Sequence, residues 1–309
     1  MISCEAKRKK EEAINFFEEK YKKGIKYQGS TPKTKRESSK NRAEAQRNVA
    51  YPNSVIEKIV LNGVPCEKMY AQKSKEDFII LFFHSGGLSG GSVESGRIFS
   101  SFFVEKHNCT SILPDFRLAP EVSFEEILSD CYSVYVDVRK KYINSKIILS
   151  GISSGALLAL SVMQFLYQKK EKHFFPDGIV VGSPITFLDN EKDSNIALAY
   201  HDIILRSYND NRLLSYAKNE DTKKGCLMNP LYGEYSDFPP IYIGCGSEER
   251  LLDDSVMLFK KIKRNTTNKD SYLSIVPGMW HGFWEDNVPE TFKELEMIWK
   301  FIQCVGNDG

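Results

Sequence analysis

Residues 147–160 read IILSGISSGALLAL: an apolar run, a serine pair bounded by glycines, and a second apolar run. The first run is typical of a buried strand and the second of a helix, so Ser153 is predicted to lie where a strand turns sharply into a helix. A serine hydroxyl is a poor nucleophile at neutral pH. We therefore expect the rest of the chain to supply a base for Ser153 and donors for the oxyanion that its attack creates.

The chain beyond residue 52 alternates short apolar runs with helical stretches, a pattern that predicts an α/β fold. We expect a mostly parallel, eight-stranded sheet flanked by helices. The first two strands are predicted to form a hairpin around Asn62-Gly63, and the later strands are predicted to be parallel. The eight candidate strands are 55–61, 66–71, 78–83, 110–113, 146–149, 178–181, 241–243 and 272–276.

Helices are predicted at 91–106, 123–141, 155–168, 253–263 and 289–303. The interval from about 185 to 225 is too long for an ordinary connection, and it carries apolar residues at helical spacing, namely Tyr200, Ile203, Ile204 and Tyr208. We expect this interval to form an inserted helical cap. Residues 5–48 are dense in Lys, Arg and Glu and predict one or two amphipathic helices joined by a polar turn at 29–32.

The composition restricts the function classes. The chain has 309 residues, 41% of them apolar, so it can bury the core of one domain with an appended cap. Its net charge of +1 favours a small-molecule substrate over nucleic acid. No secretory signal and no apolar run of about 18 residues is recognised, so we expect a cytoplasmic protein without stable membrane insertion. The seven cysteines show no metal-binding spacing, which predicts buried free thiols and neither metal nor cofactor.

Two loops after predicted strands carry groups that could assist Ser153. His281 follows the last predicted strand in a loop flanked by glycines, and it is the predicted base. His84 begins the run His84-Ser85-Gly86-Gly87 directly after the strand at 78–83. Glycines at a strand end allow backbone N–H groups to approach a developing negative charge.

The acid that would orient His281 is expected after the strand at 241–243, where four carboxylates precede a helix. Asp253 and Asp254 are expected to serve the start of that helix. Glu249 is therefore the first choice for the acid, and Glu248 is the alternative. Glycine loop, serine, acid and histidine then follow one another in the order expected of α/β hydrolases.

The sequence from Val55 to Gln303 resembles the hormone-sensitive-lipase-like branch of the α/β hydrolases, and four motifs carry the resemblance. Residues 84–87 (HSGG) are similar to the family's His-Gly-Gly-Gly, and residues 115–121 (DFRLAPE) to its Asp-Tyr-Arg-Leu-Ala-Pro-Glu. Residues 151–155 match its serine motif, and residues 278–283 match its histidine loop. Together these motifs imply an α/β hydrolase fold with a helical cap.

The resemblance also implies roles for individual residues. The triad would be Ser153, His281 and Glu249, with glutamate standing where the family usually has aspartate. The backbone of Gly86, Gly87 and Ser154 would form the oxyanion hole. The motif residues that would support the loop of the oxyanion glycines are His84, Asp115 and Arg117.

These expectations describe a cytosolic serine carboxylesterase that hydrolyses short- to medium-chain acyl esters through an acyl-enzyme. An acetyl-sugar deacetylase, a lactone hydrolase or an arylformamidase would use the same residues. A non-catalytic ligand-binding protein on this scaffold and a membrane-associated lipid esterase are further alternatives. The resemblance implies a cap segment at 1–50, a catalytic domain at 51–309 with its cap insertion, and a possible homodimer.

Overall fold

The structure is a computed structural model that describes residues 2–22, 31–46, 53–74, 76–188, 197–198, 201–205, 211–266 and 270–306. Eight strands in these ranges form one sheet. They are β1 (Val55–Leu61), β2 (Val64–Tyr70), β3 (Phe78–Phe83), β4 (Thr110–Pro114), β5 (Lys146–Ile152), β6 (Gly178–Gly182), β7 (Ile241–Gly246) and β8 (Tyr272–Val276). All eight predicted strands are present, and their order in the sheet is β1-β2-β4-β3-β5-β6-β7-β8.

The first two strands form the predicted hairpin. β1 and β2 are antiparallel, with Leu61 opposite Val64. The turn residues Asn62 and Gly63 have φ values of 46° and 83°, the left-handed pair that a tight type I′ hairpin turn requires. β2 is also antiparallel to β4. The remaining strand pairs, in the order β4-β3-β5-β6-β7-β8, are all parallel. The carboxyl ends of the parallel strands therefore share one edge of the sheet.

Helices cover both faces of this sheet. Within the described ranges they are α1 (Cys4–Lys22), α2 (Pro32–Gln46), α3 (Arg97–His107), α4 (Phe124–Lys141), α5 (Ser154–Gln168), α6 (Asn211–Leu214), α7 (Glu220–Lys224), α8 (Leu252–Asn265) and α9 (Pro289–Gly306). The helix predicted at 91–106 begins instead with a 3-10 turn at Val93–Gly96. α4 begins after Ser123, whose hydroxyl accepts the Glu126 N–H while the Glu126 carboxylate accepts the Ser123 N–H.

The core divides into two layers because strand side chains alternate between the faces of the sheet. On β3, Ile79, Leu81 and Phe83 join the layer that contains α4 and α5. Ile80 and Phe82 join the layer that contains α3 and α9. The parallel strands β3 to β7 are buried on both faces, which explains why their sequences read as continuous apolar runs. The edge strand β8 is partly exposed.

The two amino-terminal helices pack on the sheet layer of α3 and α9 and on loops beside the sheet. Ala6 of α1 is fully buried in the layer of α3 and α9. The Arg36 guanidinium of α2 donates to the carbonyls of Ser89 and Ala119 and forms an ion pair with Glu121. The prediction of two helices in this region is confirmed, while residues 29 and 30 of the predicted turn lie outside the described residues.

The described part of the predicted cap insertion contains α6 and α7. Ile203 is buried and Ile204 is half exposed. Tyr200 and Tyr208 lie outside the described residues. No helix of the described ranges is long and apolar enough to span a bilayer.

The cysteine prediction is correct for bonding and only partly correct for burial. All seven are free thiols. Cys66, Cys109, Cys131 and Cys245 are buried, as expected. Cys4 and Cys304 are exposed and Cys226 is half-buried, because they lie on helix ends and on a loop rather than on core strands.

Candidate active site

Ser153 occupies the turn between β5 and α5. Its backbone has φ 58° and ψ −119°, a conformation that a residue with a side chain rarely adopts. The Ser153 N–H donates to the Gly182 carbonyl at the end of β6, 2.9 Å away, which fixes the turn to the neighbouring strand. The serine is thus held at the carboxyl edge of the sheet, in a strained conformation that such sites often preserve.

The glycines beside Ser153 are required by close packing. A Cβ on Gly155 would lie 2.0 Å from the Phe83 carbonyl oxygen, and a Cβ on Gly151 would lie 2.4 Å from the carbonyl of Gly155. Both contacts are to backbone atoms, which cannot rotate away as a flexible side chain can. The pattern Gly-x-Ser-x-Gly is therefore what lets α5 start directly against β3.

His281 lies next to Ser153. Its Nε2 is 2.8 Å from the Ser153 Oγ, and both side chains are buried. Burial lowers the pKa of His281 to about 4, so the imidazole is neutral at physiological pH. With the ring proton on Nδ1, Nε2 accepts the serine proton, which is the arrangement that a general base needs.

Glu249 is also buried, and it is connected to the histidine loop through Ser183. Its Oε2 accepts the Ser183 hydroxyl at 2.6 Å and the Gly246 N–H at 3.0 Å. The Ser183 Oγ in turn accepts the N–H of Gly282, the residue after His281, at 3.0 Å. Burial raises the pKa of Glu249 to about 8. Two buried atoms, Glu249 Oε1 and His281 Nδ1, have no hydrogen-bond partner in the described part of the chain.

Glu248 has a different environment. Its carboxylate forms an ion pair with Lys10 of α1, and 28% of its side chain is exposed, whereas Glu249 is 0% exposed. Asp253 and Asp254 lie in the first turn of α8, as expected. The Asp254 carboxylate accepts the Thr186 N–H at 2.7 Å, which is a structural contact.

The glycine loop after β3 lies close to the serine. Gly86 and Gly87 have φ values of 126° and 62°, and a Cβ on Gly86 would lie 2.1 Å from the Gly90 carbonyl oxygen. The Gly87 N–H donates to the Oγ of Ser154 at 2.8 Å. One of the three predicted oxyanion donors is therefore already engaged by a neighbouring side chain.

Of the three predicted support residues, His84 lies at the start of the glycine loop, whereas Arg117 and Asp115 contact α4 and β2. The His84 ring stacks on Phe116, with ring centroids 4.2 Å apart, and its Nδ1 donates to the Ser85 carbonyl at 2.7 Å. Arg117 binds the Asp130 carboxylate of α4 through Nε and Nη2 at 2.9 and 2.8 Å. The Asp115 N–H donates to the Pro65 carbonyl at 2.8 Å. These contacts join the segment 115–117 to β2 and α4.

Sequence reasoning missed two buried polar residues. Ser183 follows β6, and its position at a parallel strand end was the available signal. Asp202 accepts the N–H of Arg250, the residue after Glu249, at 2.9 Å, and its negative charge acts to raise the pKa of both His281 and Glu249. No sequence signal identified Asp202, because it lies in an irregular segment.

The side chains that meet at this edge offer acid–base and nucleophilic chemistry rather than a ligand set for a metal. In the described ranges, no group of three or more His, Cys, Asp or Glu side chains could hold a metal ion.

Comparisons with known proteins agree with the fold. A family model described as alpha/beta hydrolase fold matches residues 80–285. The chain is 29% identical to an esterase of Acinetobacter venetianus over 261 residues, which cover 83% of this chain and 84% of that protein. It is 25% identical to an acetyl-hydrolase of Streptomyces hygroscopicus, with 79% and 82% of the two chains covered. A crystal structure of a hormone-sensitive lipase from a metagenome library superposes with a TM-score of 0.85 at 24% identity, covering 96% of this chain and 98% of that one.

Proposed function

Because the chain belongs to the α/β hydrolase fold family, we propose that it is a serine carboxylesterase that acts through Ser153, His281 and Glu249. The coarser assignment, a carboxylic ester hydrolase, agrees with relatives named esterase and acetyl-hydrolase. The observation that carries the proposal is the buried 2.8 Å contact between Ser153 Oγ and His281 Nε2 at the strand-to-helix turn.

The reaction follows from this contact. His281 Nε2 takes the proton of Ser153 as its Oγ attacks the ester carbonyl, which gives a tetrahedral intermediate. The intermediate collapses to an acyl-serine, and the protonated imidazole donates its proton to the leaving alcohol. Water, deprotonated by the same imidazole, attacks the acyl-serine and forms a second tetrahedral intermediate. This intermediate collapses to the carboxylic acid as the imidazolium returns the proton to Ser153 Oγ.

Glu249 is the member of the triad that we propose on electrostatic grounds. A histidine that becomes positively charged in the transition state needs a buried negative charge behind it. The burial of Glu249 and its link to Gly282 through Ser183 support this role. The unpartnered Glu249 Oε1 and His281 Nδ1 form a complementary acceptor and donor. Glu248, held at the surface by Lys10, lacks these features.

The oxyanion would be held by the backbone N–H groups of Gly86, Gly87 and Ser154. Removal of one such donor typically costs on the order of 3 kcal/mol of transition-state stabilisation. The Gly87 N–H would have to exchange its bond with Ser154 Oγ for one to the substrate. We assign His84, Asp115 and Arg117 to support of this loop, in keeping with their backbone, stacking and ion-pair contacts.

The proposed substrates are small-molecule esters with short to medium acyl chains. Acetylated sugars, lactones and arylformamides would use the same site, so a panel of these compounds is needed to identify the substrate class.

We also propose that residues 1–50 and the interval 185–225 form the cap over the site, with residues 51–309 as the catalytic domain. Cytosolic location and homodimer formation remain predictions, to be tested by cell fractionation and by sedimentation.

The test compares wild-type protein with Ser153→Ala. We expect the wild type to hydrolyse p-nitrophenyl esters of two to eight carbons and the variant to lose nearly all turnover, because the residual rate comes from binding and the oxyanion hole alone. A fluorophosphonate probe should label the wild type and leave Ser153→Ala unlabelled. Equal turnover by the two proteins would contradict the proposal, and absence of both turnover and labelling in the wild type would favour a non-catalytic binding protein.

A further inference from the structure

The amino-terminal end of α1 is bound to both loops that carry the proposed acid and base. Lys10 forms an ion pair with Glu248, and Lys9 forms an ion pair with Asp286. The two lysines are adjacent on one helix, yet their partners belong to different loops. Glu248 lies in the loop after β7, and Asp286 lies in the loop after β8. The helix therefore bridges two segments whose contacting residues, Glu248 and Asp286, are 38 positions apart in the chain.

Each of these carboxylates is coupled closely to a member of the proposed triad. Glu248 directly precedes Glu249, and its backbone N–H donates to the Met279 carbonyl at 2.9 Å, two residues before His281. The other carboxylate, Asp286, accepts the indole N–H of Trp280 at 2.7 Å. Trp280 is fully buried and directly precedes His281. Lys10 thus acts on the acid loop, and Lys9 acts on the histidine loop through the Trp280 indole.

The helix is itself fixed to the body of the protein, so the lysines are not free side chains on a loose segment. Ser3 donates its N–H and its hydroxyl to the Glu290 carboxylate, at 2.5 and 2.8 Å. Ala6 is fully buried in the core. Ile2 lies so close to Gly278 that a Cβ there would be 2.4 Å from the Ile2 side chain. Because the backbone is already ordered, less side-chain and backbone entropy is lost in forming the pairs.

Burial separates these pairs from ordinary surface ion pairs. The side chains are 16% and 28% exposed in the Lys10–Glu248 pair, and 35% and 6% exposed in the Lys9–Asp286 pair. On the same helix, the pair between Arg8 and Glu12 is 69% and 60% exposed and connects two residues of α1 only. Partly buried pairs are screened less by solvent and salt, so they can hold two loops in a fixed relation.

We propose that Lys9 and Lys10 are positioning residues, and that α1 is a clamp that sets the placement of His281 relative to Glu249 and Ser153. The inference rests on the proposed function, since it takes these three residues as the triad. The clamp acts on catalysis because a displacement of about 1 Å in a catalytic group can reduce the rate on the order of 100-fold.

The test uses the full-length protein with Lys9→Met, Lys10→Met and the double variant, assayed with p-nitrophenyl acetate. The matched control is Lys7→Met, which removes one positive charge from an exposed position of the same helix. We expect kcat to fall about tenfold in each single variant and further in the double variant, with KM within about twofold of wild type. Lys7→Met should keep the wild-type kcat, and Lys10→Arg should retain most of it because the positive charge remains.

A second set of variants removes the two pairs from their other side. Glu248→Gln removes the Lys10 pair and Asp286→Asn removes the Lys9 pair, and both substitutions leave α1 unchanged. Each should lower kcat and the rate of fluorophosphonate labelling about as far as the matching lysine variant does, with KM within about twofold of wild type. This readout also serves if a lysine variant does not fold.

Two results would overturn the clamp. In the first, the folded double variant has the same kcat and labelling rate as the wild type. In the second, the double variant has a higher KM than the wild type but the same kcat. If the lysine variants do not fold, wild-type kcat and labelling rate in Glu248→Gln and Asp286→Asn would overturn it as well. Failure of the clamp is distinguishable from failure of the proposed function. If Ser153→Ala loses activity while the lysine variants keep theirs, only the clamp proposal is contradicted. If Ser153→Ala stays active, the proposed triad itself is contradicted.

Discussion

At the scale of single residues, burial determines the protonation states on which the chemistry depends. Removal from water disfavours a charged group, so it lowers the pKa of His281 and raises that of Glu249. The same burial strengthens the electrostatic interaction between charges that form inside the site during the reaction, because the local dielectric constant is low. Neutral His281 can accept a proton, while Glu249 must ionise before it can stabilise the imidazolium.

The first residue-scale prediction concerns pH. With the pKa of Glu249 near 8 and that of His281 near 4, kcat/KM should rise as pH increases through about 8, because the carboxylate forms there while the imidazole is already neutral. Above about pH 8, Glu249→Gln should remove this rise and lower kcat on the order of 10,000-fold. Below that pH the two proteins should differ much less, because wild-type Glu249 already carries its proton there. The measurement is the pH–rate profile of wild type and variant with p-nitrophenyl acetate.

The same ionisation predicts the pH dependence of stability. Glu249 binds a proton in the folded state up to about pH 8, whereas its ordinary pKa is 4.5. Its contribution to the free energy of unfolding is therefore fully present below pH 4.5 and is lost as pH rises through about 8. Urea titrations at several pH values should show that Glu249→Gln lacks this loss, while Glu248→Gln keeps it. A pH step that survives in Glu249→Gln would assign the ionisation to another group.

The second residue-scale prediction concerns Ser154. Its hydroxyl competes with the substrate for the Gly87 N–H, since the two are already bonded at 2.8 Å. Ser154→Ala removes the competitor, and one neutral hydrogen bond contributes about 1 kcal/mol, so kcat/KM should rise roughly fivefold. Ser100→Ala, which removes a buried hydroxyl of α3, is the control and should leave kcat/KM unchanged. A lower kcat/KM in Ser154→Ala would mean that the hydroxyl itself assists the reaction.

At the scale of elements, the site depends on how closely α5 approaches β3. Gly155→Ala would place a methyl group 2.0 Å from the Phe83 carbonyl oxygen, and neither backbone can move without displacing β3 or Ser153. We expect a loss of about 3 kcal/mol in the free energy of unfolding, at the upper end for overpacked interiors, together with loss of esterase activity. Chemical denaturation measures the first effect and p-nitrophenyl acetate hydrolysis the second.

Gly63→Ala provides the control for this prediction. Gly63 has a left-handed φ of 83° but no atoms within 4 Å of the position of an added Cβ. The substitution should therefore cost only the conformational strain of about 1 kcal/mol. It should leave activity intact, because β4 and β3 separate the β1–β2 hairpin from β5, the strand that precedes Ser153. Equal losses of stability in the two variants would mean that backbone conformation, rather than the contact with Phe83, requires glycine at 155.

At the scale of the whole molecule, parallel strands bring residues that are distant in sequence to one edge. Ser153 follows β5, Ser183 follows β6, Glu249 follows β7 and His281 follows β8. Each strand is paired to the next one in this order, so the loops after them are neighbours. α1 attaches to the loops after β7 and β8 through Lys10 and Lys9, and α2 attaches through Arg36 to the segments after β3 and β4.

Most of the fold could be predicted because its signals are local. The apolar runs of β3 and β5, the Asn62-Gly63 turn and the helix predicted from residue 123 each depend on neighbouring residues, and all of them are present in the structure. The helix predicted from residue 91 failed at its start, because Val93–Gly96 form a 3-10 turn that periodicity does not distinguish from an α-helix. The prediction that Cys4 and Cys304 are buried was also wrong, because burial at these positions depends on where a helix end lies relative to solvent.

The sequence by itself determined the α/β class, the eight strands and the candidate residues Ser153, Glu249 and His281, because strand periodicity and glycine spacing are properties of short segments. Only the tertiary structure decided that Glu249 rather than Glu248 is buried, that Ser183 links the acid loop to the histidine loop, and that Ser154 occupies the Gly87 N–H. It also decided that α1 binds both loops through Lys9 and Lys10. These contacts join residues that are 30 or more positions apart, and burial and hydrogen-bond geometry between such residues exist only after the sheet has formed.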